Sequence, residues 1–136
     1  MITGGCLCGA VRYQAEGEPL FAVHCHCRDC QKASGTGHVP VMGVARSGFK
    51  VKCETRSYAK EGGSGQKSVR HFCPVCGSLL FGTPEVAPDA VTIYVGSLDD
   101  PSVFRPQLIM YARDRPPWDV VACDLPVFQT TPPVPD

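Results

Sequence analysis

Three cysteines crowd the segment HCHCRDC at residues 24–30, where Cys25, Cys27 and Cys30 follow a CxCxxC spacing. This spacing lets about one turn of chain direct three sulfur atoms at one metal ion. Structural zinc sites are closed by four protein ligands, whereas catalytic zinc sites keep three and leave the fourth position to water or substrate. Zinc held by three thiolates binds an incoming thiol as its thiolate. The spacing therefore predicts a catalytic zinc site suited to sulfur chemistry.

Other residues could complete this cluster or lie beside it. Cys53, in KVKCE, or Cys123, in VVACDL, would close it into a second structural site of four cysteines. Both are more simply explained as small buried hydrophobic residues. His26 separates two of the ligands, so its side chain should point away from the metal, either beside the site or to the surface. The open site is favoured, and the closed site stays an alternative.

A second set of cysteines has the spacing of a structural site. GGCLCGA contributes Cys6 and Cys8, and FCPVCGS contributes Cys73 and Cys76. Each pair supplies half of a tetrahedral site, and the two pairs together make a closed zinc site that would tie distant parts of the chain. The total of nine cysteines is odd, which argues against a disulfide scaffold. We therefore predict zinc as the cofactor, with two ions per chain.

The elements that carry these residues should be mostly strands. The chain has 136 residues, 14 of them Gly and 13 Pro, and short runs rich in Val, Ile, Tyr and Phe alternate with turn residues. One short helix is expected around RDCQKASG, ended by Gly35, and EGGSGQ at 61–66 is expected to be a flexible hairpin tip. The pattern predicts a mainly β fold of antiparallel sheets with zinc-bearing loops. It also predicts a single domain, 1–136, with a core of about 3–128 and an extended C-terminal tail.

Composition argues against two classes of partner. Thirteen Lys and Arg balance thirteen Asp and Glu, so nucleic acid is not an expected partner. The sequence has no run of about 18 apolar residues, and MITGGCLCG lacks the features of a signal peptide. We expect no membrane partner and a cytoplasmic location, while the oligomeric state stays open.

Six sequence blocks, in order and spanning residues 4–128, resemble the glutathione-dependent formaldehyde-activating enzyme family, also called the GFA or CENP-V/GFA domain. They are GGCLCGAVRY, CHCRDCQKASGTG, VRHFCPVCGSLLF, VTIYVGSLDDP, RPPW and LPVF. The resemblance implies a β-tent fold of the Mss4-like class and zinc as the metal. It also implies a division of the cysteines into a structural site, Cys6, Cys8, Cys73 and Cys76, and a catalytic site, Cys25, Cys27 and Cys30.

The resemblance further implies an activity. Members of the family are assigned the condensation of formaldehyde with glutathione to S-hydroxymethylglutathione, which is a carbon-sulfur lyase reaction run in reverse. A small thiol such as glutathione would then be the partner. Arg28, Lys32 and Arg70 neighbour the cysteine clusters in sequence and could pair with its carboxylates, or they could be solvated surface charges.

One position departs from the family pattern, and one alternative function stays open. Many relatives have a histidine nine residues before the tryptophan, whereas this sequence has Ile109 nine residues before Trp118. The alternative function is a non-catalytic, zinc-stabilised β module that binds a partner. An open fourth coordination position favours the enzyme, and a fourth protein ligand would favour the binding module.

Overall fold

Ten strands and one α-helix are found in the computed structural model of the protein, which describes residues 1–121 and 124–133. In chain order the elements are β1 (Ile2–Gly5), β2 (Arg12–Ala15), β3 (Phe21–Cys25), α1 (Arg28–Ser34), β4 (Val39–Ala45), β5 (Phe49–Lys52), β6 (Arg56–Glu61), β7 (Lys67–Phe72), β8 (Leu79–Pro84), β9 (Ala90–Tyr94) and β10 (Leu108–Met110). Short 3-10 turns lie at Arg46–Gly48, Val95–Ser97, Pro101–Val103 and Ala112–Asp114. No helix in these described ranges is long and apolar enough to cross a membrane.

The strands form two sheets, which confirms the predicted mainly β class. The smaller sheet has the order β1-β2-β5, and the larger has the order β10-β3-β4-β9-β8-β7-β6. All pairs of neighbouring strands are antiparallel except β10 and β3, which run parallel. The sheets are otherwise antiparallel, as predicted. At this edge the chain reaches the far side of the sheet by a long connection after β9 instead of a hairpin.

Side-chain alternation divides the larger sheet into two buried faces. On β4, Met42 and Val44 belong to the main hydrophobic core, which also contains buried residues of the smaller sheet. Val41 points the other way, into a smaller core with Val23 and Cys25 of β3. The three-cysteine segment therefore begins on the face that carries the smaller core.

The short helix α1 forms where the sequence predicted it. The sulfur of Cys27 accepts a hydrogen bond from the backbone N–H of Cys30 at the N-terminus. The negative charge of Asp29 in the first turn and the positive charge of Lys32 in the last turn interact favourably with the helix dipole. Gly35 ends the helix in the left-handed conformation, with φ of 74°. The capping interaction shows that a cysteine of the cluster also fixes where the helix begins.

Candidate metal centres

Two loops that are far apart in sequence bring four sulfur atoms together. The β1–β2 loop carries Cys6 and Cys8, and the β7–β8 loop carries Cys73 and Cys76, and their sulfur atoms all lie within 4.8 Å of one another. The sulfur of Cys8 is 3.6 Å from that of Cys6 and 3.8 Å from that of Cys73. This grouping matches the predicted four-cysteine set, whose role as a structural zinc site stays a prediction.

Backbone N–H groups point at these sulfur atoms, as they do around metal-bound thiolates. The N–H of Val11 donates to the sulfur of Cys6 at 3.2 Å, and this bond is the main reason that the pKa of Cys6 is lowered. The N–H of Cys76 donates to the sulfur of Cys73 at 3.5 Å. Gly77, with φ of 77°, allows the tight turn that follows. Each loop thus directs a backbone N–H at the sulfur of one of its cysteines.

The three-cysteine cluster forms where β3 passes into α1. Cys25 ends the strand, Cys27 caps the helix and Cys30 lies in its first turn, and their sulfur atoms lie within 4.8 Å of one another. Cys25 and Cys30 are buried, whereas Cys27 is half-buried. Among the described residues, no fourth Cys, His, Asp or Glu joins this group.

Because the three thiols are packed closely, their pKa values shift in opposite directions. Hydrogen bonds from Cys25, and next from Cys30, lower the pKa of Cys27 to about 3. Hydrogen bonds to Cys27 and Cys30, together with burial, raise the pKa of Cys25. The cluster by itself therefore holds one negative charge readily but resists a second, and a cation is needed to keep all three as thiolates. Three sulfur donors fit a soft or borderline divalent ion such as zinc.

Charged and aromatic side chains border this cluster on the same face of the sheet. Arg70 of β7 donates from Nη2 to the sulfur of Cys30 at 3.9 Å, and its Nε is buried with no hydrogen-bond partner among the described residues. Tyr94 of β9 is buried in the same core, and its burial raises the pKa of its hydroxyl to about 12. A positive charge and a neutral phenol therefore lie beside the sulfur atoms.

The hairpin tip at 61–66 approaches the same region. It joins β6 to β7, as predicted, with Gly65 in the left-handed conformation. A methyl group at Gly63 would lie 3.5 Å from the hydroxyl oxygen of Tyr111. Tyr111 packs against the core that contains Cys25, and its own φ is 57°, which is uncommon for a tyrosine. The tip and Tyr111 thus form one border of the three-cysteine cluster.

Cys53 and Cys123 were each considered as a fourth ligand of the three-cysteine cluster. Cys53 was predicted to be buried, but it is exposed, with φ of 75° in the turn after β5. That prediction was wrong, because Cys53 lies in a turn between β5 and β6 and not within a strand, and such connecting segments usually run over the protein surface. Cys53 does not join the cluster of Cys25. Cys123 lies outside the described residues.

The structure separates the three basic residues that sequence reasoning considered together. Arg70 reaches the cysteine cluster, whereas the guanidinium of Arg28 donates to the side chain of Gln31, and Lys32 is exposed. Successive side chains of a strand point to opposite faces of the sheet. On β7, His71 stacks on Phe81 of the main core, so Arg70 points to the other face, where the cysteine cluster lies.

Ile109 lies away from the cysteine cluster. Its neighbours Leu108 and Met110 pack against the core that contains Cys25, so Ile109 occupies the other face of β10, where its register partner is His24. A histidine at this position would not line the three-cysteine cluster.

A cluster of histidines and an aspartate was missed by sequence reasoning. His26, His38 and Asp119 bring ligand atoms within 4.8 Å of one another, and the ring of His24 is 5.0 Å from that of His38. The sequence did predict that His26 points away from the cysteines, and the same alternation in HCHC applies to His24. The contribution of Asp119, 81 residues from His38, had no local signal.

Comparison with known proteins identifies the family. The chain belongs to the family described as glutathione-dependent formaldehyde-activating enzyme, whose model matches residues 1–114. A Halomonas elongata protein that carries this enzyme name provisionally is 27% identical over 124 residues, which cover 87% of this chain and 79% of that protein. A crystal structure of a Rhodobacter sphaeroides protein, a structural genomics target, matches with a TM-score of 0.56 and 22% identity, over 71% of this chain and 87% of the other. The structural match supports the fold, and the family match confirms the resemblance found in the sequence.

Proposed function

We propose that the protein is a zinc-dependent enzyme of the carbon-sulfur lyase type, acting in the cytoplasm on a small thiol and an aldehyde. Glutathione is the proposed thiol and formaldehyde the proposed aldehyde, as in S-(hydroxymethyl)glutathione synthesis. The family supports glutathione-dependent formaldehyde activation in general. The proposal assigns the catalytic zinc to Cys25, Cys27 and Cys30, and the structural zinc to Cys6, Cys8, Cys73 and Cys76.

The observation that carries the proposal is the number of ligands at the second cluster. Three sulfur atoms converge there, and the described residues offer no fourth ligand to the group. The half-buried Cys27 leaves one side of the cluster accessible, while Cys25 and Cys30 are buried. Three protein ligands with an accessible side are typical of a catalytic zinc site and not of a structural one. The enzyme is therefore favoured over the binding module.

The reaction joins the sulfur of the thiol to the carbonyl carbon of the aldehyde. A carbon-sulfur bond forms, the carbonyl π bond breaks, and the proton lost by the thiol ends on the former carbonyl oxygen. Cys25, Cys27 and Cys30 would hold the zinc ion, which would supply a positive charge that lowers the pKa of the incoming thiol. Arg70 offsets negative charge next to Cys30, and the hydroxyl of Tyr94 keeps its proton at neutral pH. These side chains make the accessible side of the cluster favourable for a thiolate.

The test is a comparison of two ligands on zinc-loaded protein. Glutathione should bind through its sulfur, release a proton and bind much more tightly than S-methylglutathione, which has no thiol to ionise. Calorimetry in buffers of different ionisation heat measures the proton release. NMR then follows adduct formation from formaldehyde against a buffer blank, since the reaction also proceeds without catalyst.

Two variants serve as controls for that test. Cys27→Ser removes one ligand and should abolish both the thiol-selective binding and the rate enhancement. Cys53→Ser changes an exposed cysteine outside the cluster and should leave both unchanged. Equal binding of glutathione and its S-methyl analogue by the unaltered protein would contradict the thiolate mechanism. Thiol-selective binding without rate enhancement would instead point to another carbon-sulfur substrate.

A further inference from the structure

A third group of potential metal ligands lies on the side of β3 opposite Cys25. Along the end of β3, Val23 and Cys25 face the smaller core, so His24 occupies the other face. His26 follows directly, and His38 precedes β4, the antiparallel partner of β3. Asp119 approaches from the C-terminal segment. The ligand atoms of His26, His38 and Asp119 lie within 4.8 Å of one another.

The carboxylate of Asp119 is the centre of this group. Its Oδ2 is 2.6 Å from Nδ1 of His38 and 3.5 Å from Nδ1 of His26. The carbonyl oxygen of Gly37 is 3.1 Å from the same His26 nitrogen. A methyl group at Gly37 would lie only 2.4 Å from Asp119 Oδ2, so the absence of a side chain there admits the carboxylate.

Two ring nitrogens near the group lack the partners that buried polar atoms normally have. His26 has a relative exposure of 0%, yet its Nε2 has no hydrogen-bond partner among the described residues. The same holds for Nδ1 of His24 within the described chain. Nearly all buried polar groups in folded proteins are paired with protein, water or ions. Hydrogen bonds among the described residues thus engage Nδ1 of His26 and Nδ1 of His38, but leave these two other ring nitrogens without a partner.

We propose that His26, His38 and Asp119 bind a divalent transition-metal ion in addition to the ions assigned to the cysteines. Two imidazole nitrogens and one carboxylate oxygen are the donor set of zinc and related borderline ions. Bonds of about 2.0–2.2 Å to a common ion need only small shifts of ligand atoms that already lie this close. The ion would join the β3–α1 turn, the start of β4 and the C-terminal segment at Asp119.

The proposal is tested by adding Co²⁺ to protein that already holds two equivalents of Zn²⁺. We expect one further equivalent to bind, with the weak absorption of nitrogen and oxygen ligands and without thiolate-to-cobalt charge transfer. The ring signals of His26 and His38 should show paramagnetic NMR shifts. Binding of Co²⁺ only with thiolate charge transfer, or no further binding at all, would overturn the proposal.

Variants separate a metal site from a hydrogen-bonded clamp. Asp119→Asn keeps the size of the side chain but removes the charge, and it should lose the third equivalent while keeping the two zinc ions. Gly37→Ala should weaken the same binding by displacing the carboxylate. Asp124→Asn alters an exposed carboxylate and should have no effect. Full retention of the third equivalent in Asp119→Asn would show that Asp119 is not a ligand of the added ion and would overturn the proposal.

Discussion

Arg70 links strand β7 to the three-cysteine cluster. Its guanidinium donates to the sulfur of Cys30, and it does so from a partly buried position where solvent screening is reduced. A cluster of three thiolates around a divalent ion has a net charge of minus one, and a bound thiolate would make it minus two. A fixed positive charge beside the sulfur atoms therefore favours the thiol-bound state.

We expect Arg70→Met to weaken glutathione binding by about tenfold, because a hydrogen bond to a charged group contributes about 1.5 kcal/mol or more. Arg70→Lys should retain part of the affinity, since it keeps the charge but loses the planar donor geometry. Calorimetric titration of zinc-loaded protein measures both. Lys32→Met, which changes an exposed basic residue of α1, is the matched control. If the control lost as much affinity as Arg70→Met, nonspecific attraction would explain the effect.

The two cysteine clusters differ in the elements they connect. The four-cysteine group joins the β1–β2 loop of the smaller sheet to the β7–β8 loop of the larger one. The three-cysteine group lies within one continuous segment, the junction of β3 and α1. Loss of the first group removes a link between two sheets that otherwise meet in the main hydrophobic core, whereas loss of the second affects one local turn. Their contributions to stability should differ accordingly.

Cys73→Ser should unfold or strongly destabilise the protein, and Cys27→Ser should leave it folded. Structural zinc contributes an apparent folding free energy of about 10–16 kcal/mol in small zinc peptides, which is comparable with the whole stability of a typical domain, about 5–15 kcal/mol. Thermal melts of zinc-saturated variants, followed by circular dichroism, measure the ranking. The reverse ranking would require the structural and catalytic roles to be exchanged between the clusters.

At the scale of the whole molecule, seven cysteines form two separate groups that lie on different loops. The groups share no ligand among the described residues. Each should therefore fill as an independent site, with the closed group binding more tightly than the open one. The proposed site at Asp119 contains no sulfur and can be counted separately.

We expect zinc-saturated protein to hold two equivalents of thiolate-bound metal per chain. Replacement of zinc by Co²⁺ should give thiolate charge-transfer absorption that saturates at two equivalents, while elemental analysis counts the total. Saturation before measurement is necessary, because an ion with three protein ligands dissociates more easily than one with four. Thiolate absorption that saturates at one equivalent would contradict the division into four and three cysteines.

Several features were readable in the sequence because they depend on neighbours along the chain. The helix from Arg28 to Ser34 and its end at Gly35 follow from local capping and backbone preferences. The same locality explains why the sulfur atoms of Cys25, Cys27 and Cys30 converge, since their spacing fixes them on one turn. The family was also recognisable, because its motifs are short blocks of sequence in a fixed order.

Other features were decided by contacts between distant segments. The parallel pairing of β10 with β3 depends on the path of a long connection, and the exposure of Cys53 depends on what packs around its turn. Arg70 meets Cys30 only because β7 and α1 share one face of the larger sheet. Asp119 reaches His38 across 81 residues. Sequence spacing determines which side chains can converge within one turn, but the packing of the sheets determines which distant charges come to lie beside them.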